Sequence, residues 1–196
     1  MPGNLRLFVA LALEPAEAEP LAAWAAEALE ARGGLRLVPA ANLHVTLAFC
    51  GAVAEERAGE VVAHAREATA GLTAPVLRPA AVRTFGPAVV GVAYRVEDED
   101  EAERLSSAVM RLRSALGRAG LARPDDRPFR PHVTVARARR GVRVRAGGIE
   151  PPSAGLGPSG VAVYASLPVP GGVRYQPLAH IGFDARRPGT TSPQGG

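Results

Sequence analysis

The tripeptide His-Val-Thr occurs twice in a chain of 196 residues, as His44-Val45-Thr46 and as His132-Val133-Thr134. Each copy lies in a short alternating run of apolar and β-branched residues, the pattern of a half-buried strand. Side chains at i and i+2 of a strand share a face, roughly 6.5–7 Å apart. His44 and Thr46 therefore share one face, and His132 and Thr134 another. Val45 and Leu47, like Val133 and Val135, turn to the buried sides. Two imidazoles facing one cleft make an acid–base pair, because histidine titrates near neutrality and one ring can be neutral while its partner is protonated. That combination suits in-line displacement at phosphorus. One ring takes a proton from water and the other gives one to the departing oxygen, while the Thr46 and Thr134 hydroxyls and a nearby Arg hold the phosphoryl oxygens. The two tripeptides are equivalent, so on their own they leave open which ring is acid and which is base.

Other chemistries fit the residues less well. The histidines are not spaced as metal ligands, and no Asp, Glu or Cys shares their strand faces. There is no Gly-x-Ser-x-Gly and no Walker loop. A lone His-x-Thr is more often a structural pair than a site; the repetition in matching context carries the reading. Arg137 is the leading phosphate-binding Arg. It stands five residues past His132, so strict alternation puts it on the wrong face, and the strand must end or bulge for it to reach the site. Arg127 and Arg130 flank the loop before the second motif and are candidate contacts to an RNA backbone. Phe129, Tyr164 and Tyr175 are candidate base-stacking surfaces, with core packing the plainer role for at least two of them. His64 reads as solvated on a helix, His180 as a strand residue packed under the sheet, and Cys50 as a small apolar filler.

The elements that position these residues follow from periodicity and punctuation. Residues 5–13 read as a buried strand, 21–32 as a helix stopped by Gly33-Gly34, and 35–38 as a short strand. The first motif strand covers 43–49 and closes at Gly51. A helix over 54–70, strands over 75–83 and 88–96, and a helix over 101–118 come next. The acidic run at 97–101 opposes the positive end of that last helix. A Pro- and Arg-rich loop, 122–131, leads into the second motif strand, 132–137. Residues 141–160 read as irregular, and 160–167 with 172–183 as a hairpin. Strand, helix, loop and His-Val-Thr thus occur twice in the same order, with Val9 and Val92 at similar distances before the two histidines (35 and 40 positions). This is the signature of an internal duplication that brings two equivalent strands to one cleft.

Composition narrows the class. The longest early apolar stretch is too short to span a bilayer, and no signal peptide is read at the start. A single cysteine excludes an internal disulfide and fits a reducing cytoplasm. All 23 basic residues are Arg, which reflects codon bias and also provides bidentate phosphate forks.

The chain resembles the RNA 2',3'-cyclic phosphodiesterase (2'-5' RNA ligase) family of the two-histidine phosphoesterase superfamily. The carrying residues are Arg6-Leu7-Phe8-Val9-Ala10, Asn42-Leu43-His44-Val45-Thr46-Leu47-Ala48-Phe49 with Gly51, and Arg127-Pro128-Phe129-Arg130-Pro131-His132-Val133-Thr134-Val135-Ala136-Arg137. Val163-Tyr164-Ala165-Ser166 and Arg174-Tyr175-Gln176-Pro177-Leu178 complete them. Val135 and Cys50 each replace a usual Leu, apolar for apolar. The resemblance implies an α+β fold of two pseudo-twofold lobes within residues 1–184. Each lobe would hold an antiparallel sheet with helices outside, and the site would lie in the central cleft. Residues 185–196 read as a disordered tail. The implied reaction is metal- and cofactor-independent hydrolysis of an RNA terminal 2',3'-cyclic phosphate to a 2'-phosphate, with 2'-5' ligation as its reverse. His44 would be the acid, His132 the base, and Thr46, Thr134 and Arg137 the phosphate contacts. RNA ends are the implied partner, and two halves completing one site imply a monomer. Two rivals remain. One keeps the chemistry on a small cyclic nucleotide, ADP-ribose cyclic phosphate or 2'-5' oligoadenylate; the other is a non-catalytic RNA-end binder.

Overall fold

Alternation along the two motif runs buries Val45, Leu47, Val133 and Val135 completely, and the sheet is built outward from these strands. The computed structural model describes residues 3–139, 141–144 and 146–185. Its strands are β1 (Asn4–Ala12), β2 (Leu35–Leu37), β3 (His44–Ala54), β4 (Leu77–Thr84), β5 (Val89–Val96), β6 (His132–Ala138), β7 (Gly160–Val169) and β8 (Gly172–Gly182). They form one antiparallel sheet in the order β4-β5-β6-β3-β1-β7-β8, with β2 pairing the far end of β6. The sequence reading expected a separate sheet in each half. Instead the halves are continuous, joined where β3 meets β6 at Val45 and Val133.

Three helices, α1 (Pro15–Leu29), α2 (Ala58–Thr69) and α3 (Glu99–Arg118), bury apolar stripes in one core with the inner face of the sheet. Leu21 and Leu29 of α1, Val61 of α2 and Leu105, Leu112 and Leu116 of α3 lie in that cluster with Val9, Val45 and Val133. Each such side chain contributes about 1.5–3 kcal/mol on burial. Helix α1 starts at Pro15, six residues ahead of the periodic stretch 21–32; Glu14-Pro15 is itself a helix-start pair, because a proline in the first turn lacks only an N–H that would have no intrahelical partner. Helix α3 starts earlier too. Asp98 caps it, its carboxylate accepting from the Glu101 N–H at 2.8 Å, so most of the acidic run lies inside the first turn.

The duplication is visible in the pairing. Ala12 opposes His44 as Ala93 opposes His132, and Ala10 opposes Thr46 as Gly91 opposes Thr134. By this register the counterpart of Val9 is Val90 rather than Val92, since Val9 faces Ala48 and Val90 faces Ala136. Strand β3 does not close at Gly51. It bulges there, with Gly51 at φ 78°, and continues to Ala54 beside β1. Among the described residues no helix is long and apolar enough to cross a membrane. Of the expected tail, 185–196, all but its first residue lie outside the described residues.

Candidate active site

Both histidines open their strands, and the same local device fixes both rings. His44 Nδ1 lies 2.8 Å from the Asn42 carbonyl, and His132 Nδ1 lies 2.8 Å from the Arg130 carbonyl. A carbonyl oxygen only accepts, so each Nδ1 carries the hydrogen and donates it. Each Nε2 is thereby left as the atom that takes up or releases a proton. The Thr46 hydroxyl sits 2.9 Å from His44 Nε2 and donates to it.

The two rings differ in their surroundings. His44 is packed among aromatic rings, 4.8 Å from Phe8 and 5.3 Å, edge-on, from Tyr175. Burial is the main cause that lowers its pKa to about 4; the Asn42 carbonyl opposes the shift, and the charges of Arg137 and His132 add to it. His44 is therefore neutral in the free protein at neutral pH. His132 stacks on Phe85, with ring centroids 4.2 Å apart and planes 18° from parallel.

Bulges decide what else reaches the cleft. In β6, Gly91 pairs Thr134 while Val90 pairs Ala136, so Val135 is an extra residue. Val135 and Ala136 are both buried, one step of alternation is lost, and Arg137 returns to the face of His132 and Thr134. This is the bulge that the sequence required for Arg137. Strand β3 repeats it: Leu47 is the extra residue, Leu47 and Ala48 are both buried, and Phe49 emerges beside Thr46.

Six of the sequence candidates come together. His44, Thr46, His132, Thr134, Arg137 and Tyr175 line a cleft of about 330 Å³ with Arg6, Phe49 and Ser166. Phe129, Arg130 and Arg127 line an adjoining pocket that shares Thr46, Phe49 and His132. Arg127 is held by Asp125 through two contacts of 2.7 and 2.9 Å, while the Arg130 backbone serves His132. Tyr164 lies behind Phe8, stacked at 5.2 Å, and supports the His44 wall without lining the cleft. His180 is exposed rather than packed under the sheet. Cys50 is buried, and burial raises its thiol pKa to about 11.

Sequence reasoning missed four contributors. Phe49 was signalled by its spacing, five residues past His44 as Arg137 is past His132. Asn42 is buried, donates to the Val173 carbonyl at 2.8 Å and accepts from the Tyr175 N–H at 3.3 Å, so it ties β8 to the His44 segment. Arg6 lines the cleft and Phe85 the adjoining pocket; Arg6 was signalled by the resemblance run at 6–10, whereas Phe85 is placed by long-range pairing and carries no local signal.

Paired imidazoles with matched hydroxyls on duplicated strands define a two-histidine phosphoesterase, and comparison with known proteins agrees. Residues 15–144 match the 2'-5' RNA ligase superfamily, and the chain belongs to that family. The fold is similar to LigT of E. coli in a crystal structure with 3'-AMP, at TM-score 0.71 and 28% identity over 93% of this chain and 99% of that one. A crystal structure described as a phosphoesterase gives TM-score 0.71 and 27% identity over 93% and 99% of the two chains. TT0787 of Thermus thermophilus gives TM-score 0.66 and 26% identity over 91% and 97%. No curated protein matches at a significant level.

Proposed function

We propose that the protein hydrolyses the terminal 2',3'-cyclic phosphate of RNA to a 2'-phosphate. The observation that carries this reading is the pair of rings whose Nδ1–H groups are anchored to carbonyls, which leaves both Nε2 atoms for proton transfer in a cleft that also presents Thr46, Thr134 and Arg137. In the reaction, His132 Nε2 takes a proton from water as its oxygen bonds to phosphorus. The bond from phosphorus to O3' breaks, and His44 Nε2 gives its proton to that oxygen. Thr46, Thr134 and Arg137 hold the non-bridging oxygens as charge builds on them. His44 is neutral in the free protein, so its proton must arrive with the substrate, whose anionic phosphate favours the imidazolium. Each proton transfer is worth about a hundred- to ten-thousand-fold. Ligation would follow the same path with a 5'-hydroxyl in place of water: His132 takes its proton, its oxygen bonds to phosphorus, and O3' leaves with the proton from His44, so that a 2'-5' phosphodiester forms.

The test is a short RNA ending in a 2',3'-cyclic phosphate, incubated with the protein in excess EDTA, with the product assigned by phosphorus NMR. A 2'-phosphate is expected. A 3'-phosphate would reverse the substrate in the cleft, and no turnover would refute the assignment.

A further inference from the structure

A second groove, of about 740 Å³, opens from the catalytic cleft, and Arg6, Phe49 and Gly51 line both. One wall is the β3 backbone from Phe49 to Ala52; the other is the chain from Gly120 to Arg127. That second wall is fixed. Arg113 of α3 donates to the Leu47 carbonyl at 2.8 Å and to the Arg127 carbonyl at 2.9 Å, and lies 3.5 Å from Asp125. The groove therefore has a built shape held to the motif strand itself.

Its charge is unbalanced. Arg6, Arg113, Arg123 and Arg127 face one carboxylate, Asp125, which Arg127 and Arg113 already share. Arg6 and Arg123 are exposed and form no ion pair among the described residues. Cations spaced along a groove repel one another until an extended anion lies between them. At the junction stands Phe49, 67% exposed, an apolar ring whose face is open to a partner. Gly51 beside it has no side chain, and a Cβ there would meet nothing within 4 Å, so the passage is clear.

We propose that this groove is a binding site for single-stranded RNA upstream of the reacting end, with phosphodiester groups at Arg6 and Arg123 and the penultimate base stacked on Phe49. The proposal rests on the cyclic-phosphate reading of the cleft and adds the path that the RNA takes out of it.

The experiment compares kcat/KM for cytidine 2',3'-cyclic phosphate with that for a pentanucleotide ending in the same group, at about 50 and about 200 mM salt, a range over which phosphate contacts weaken measurably. It uses the wild-type protein, Arg123→Gln and Arg123→Glu; Arg123 is exposed, so neither variant threatens the fold. The wild type should prefer the pentanucleotide by about tenfold or more at low salt. Arg123→Glu should cut that ratio at least about fivefold, and the salt slope should become shallower by about 0.7 for the lost phosphate contact. Equal wild-type values for the two substrates would overturn the groove while leaving the phosphodiesterase reading intact. A preference that survives Arg123→Glu would overturn this route for the chain. Absence of turnover on either substrate would overturn the reading of the cleft and the groove with it.

Discussion

Phe49 and Arg137 hold equivalent positions in the two halves, each five residues past a cleft histidine and each brought to the cleft by a bulge that buries two successive residues. The duplication has kept the geometry and divided the chemistry: one half delivers a cation, the other an aromatic ring. Arg137→Gln should therefore act on the transition state and lower kcat/KM about a hundred- to thousandfold, as removal of an oxyanion donor does. Phe49→Ala should act on binding, raising KM for an RNA end by an amount equivalent to about 1–3 kcal/mol with kcat little changed. Steady-state kinetics separate the two, and a kcat loss at Phe49 matching that at Arg137 would refute the division.

His44 makes stability depend on pH. Its folded pKa is about 4, below the ordinary value of 6.5, so the unfolded chain binds this proton first as pH falls. The stabilisation is complete above about pH 6.5 and declines as pH falls toward about 4, by on the order of 3 kcal/mol. Urea midpoints at about pH 7 and about pH 4.5 should diverge more for the wild type than for His44→Gln. Equal divergence would show that His44 is not the group responsible.

Much of this was legible in the sequence because it is local. The strand positions of His44, Thr46, His132 and Thr134 follow from period-two alternation, and even the need for a bulge before Arg137 could be counted. What was not legible depends on pairing between distant segments. The single continuous sheet is decided by the Val45–Val133 pair. Phe85 reaches His132 because β5 lies beside β6, and Asn42 is recruited by the first residues of β8. The ion pair with Asp125 that engages Arg127 was equally invisible, since a Pro-rich loop has no periodicity from which to read side-chain direction.

The acid can be identified through its leaving group. A 3'-thiolate departs without protonation, so a substrate with sulfur bridging at the 3' position should rescue His44→Ala and leave His132→Ala inactive. Binding should also draw in a proton. Calorimetric titration with a 2'-phosphate product near the ordinary histidine pKa of about 6.5, in buffers of different ionisation enthalpy, should show net uptake in the wild type and less in His44→Ala. Rescue of His132→Ala alone would exchange the two roles.

Asn42 positions His44 without touching substrate. Its side chain joins the Val173 carbonyl and the Tyr175 N–H, and its own carbonyl holds His44 Nδ1–H. Asn42→Ala leaves both β8 groups without this partner and should cost about 1–3 kcal/mol of stability. It should also lower kcat more than it raises KM, because a tilted imidazole binds phosphate but transfers protons poorly. Asn42→Asp keeps an acceptor for the Tyr175 N–H and should recover part of the loss. Full kcat in Asn42→Ala would reduce this residue to a structural tie.

Gly91 controls the other histidine at one remove. It pairs Thr134 across β5 and β6, and a Cβ at this position would sit 2.9 Å from both the Phe85 ring and the Val133 carbonyl. The Phe85 ring, which is the one stacked on His132, can turn away from the first contact; the second, against backbone, is relieved only by a shift of β5 from β6. Gly91→Ala should therefore cost about 1–3 kcal/mol through overpacking and displace Phe85 from the imidazole. If the catalytic part of the defect passes through the ring, Gly91→Ala and Phe85→Ala are not independent, and the double variant should have a kcat close to that of the poorer single variant. Losses that multiply would mean that Gly91 acts on His132 by another path, most directly through the Thr134 backbone it faces.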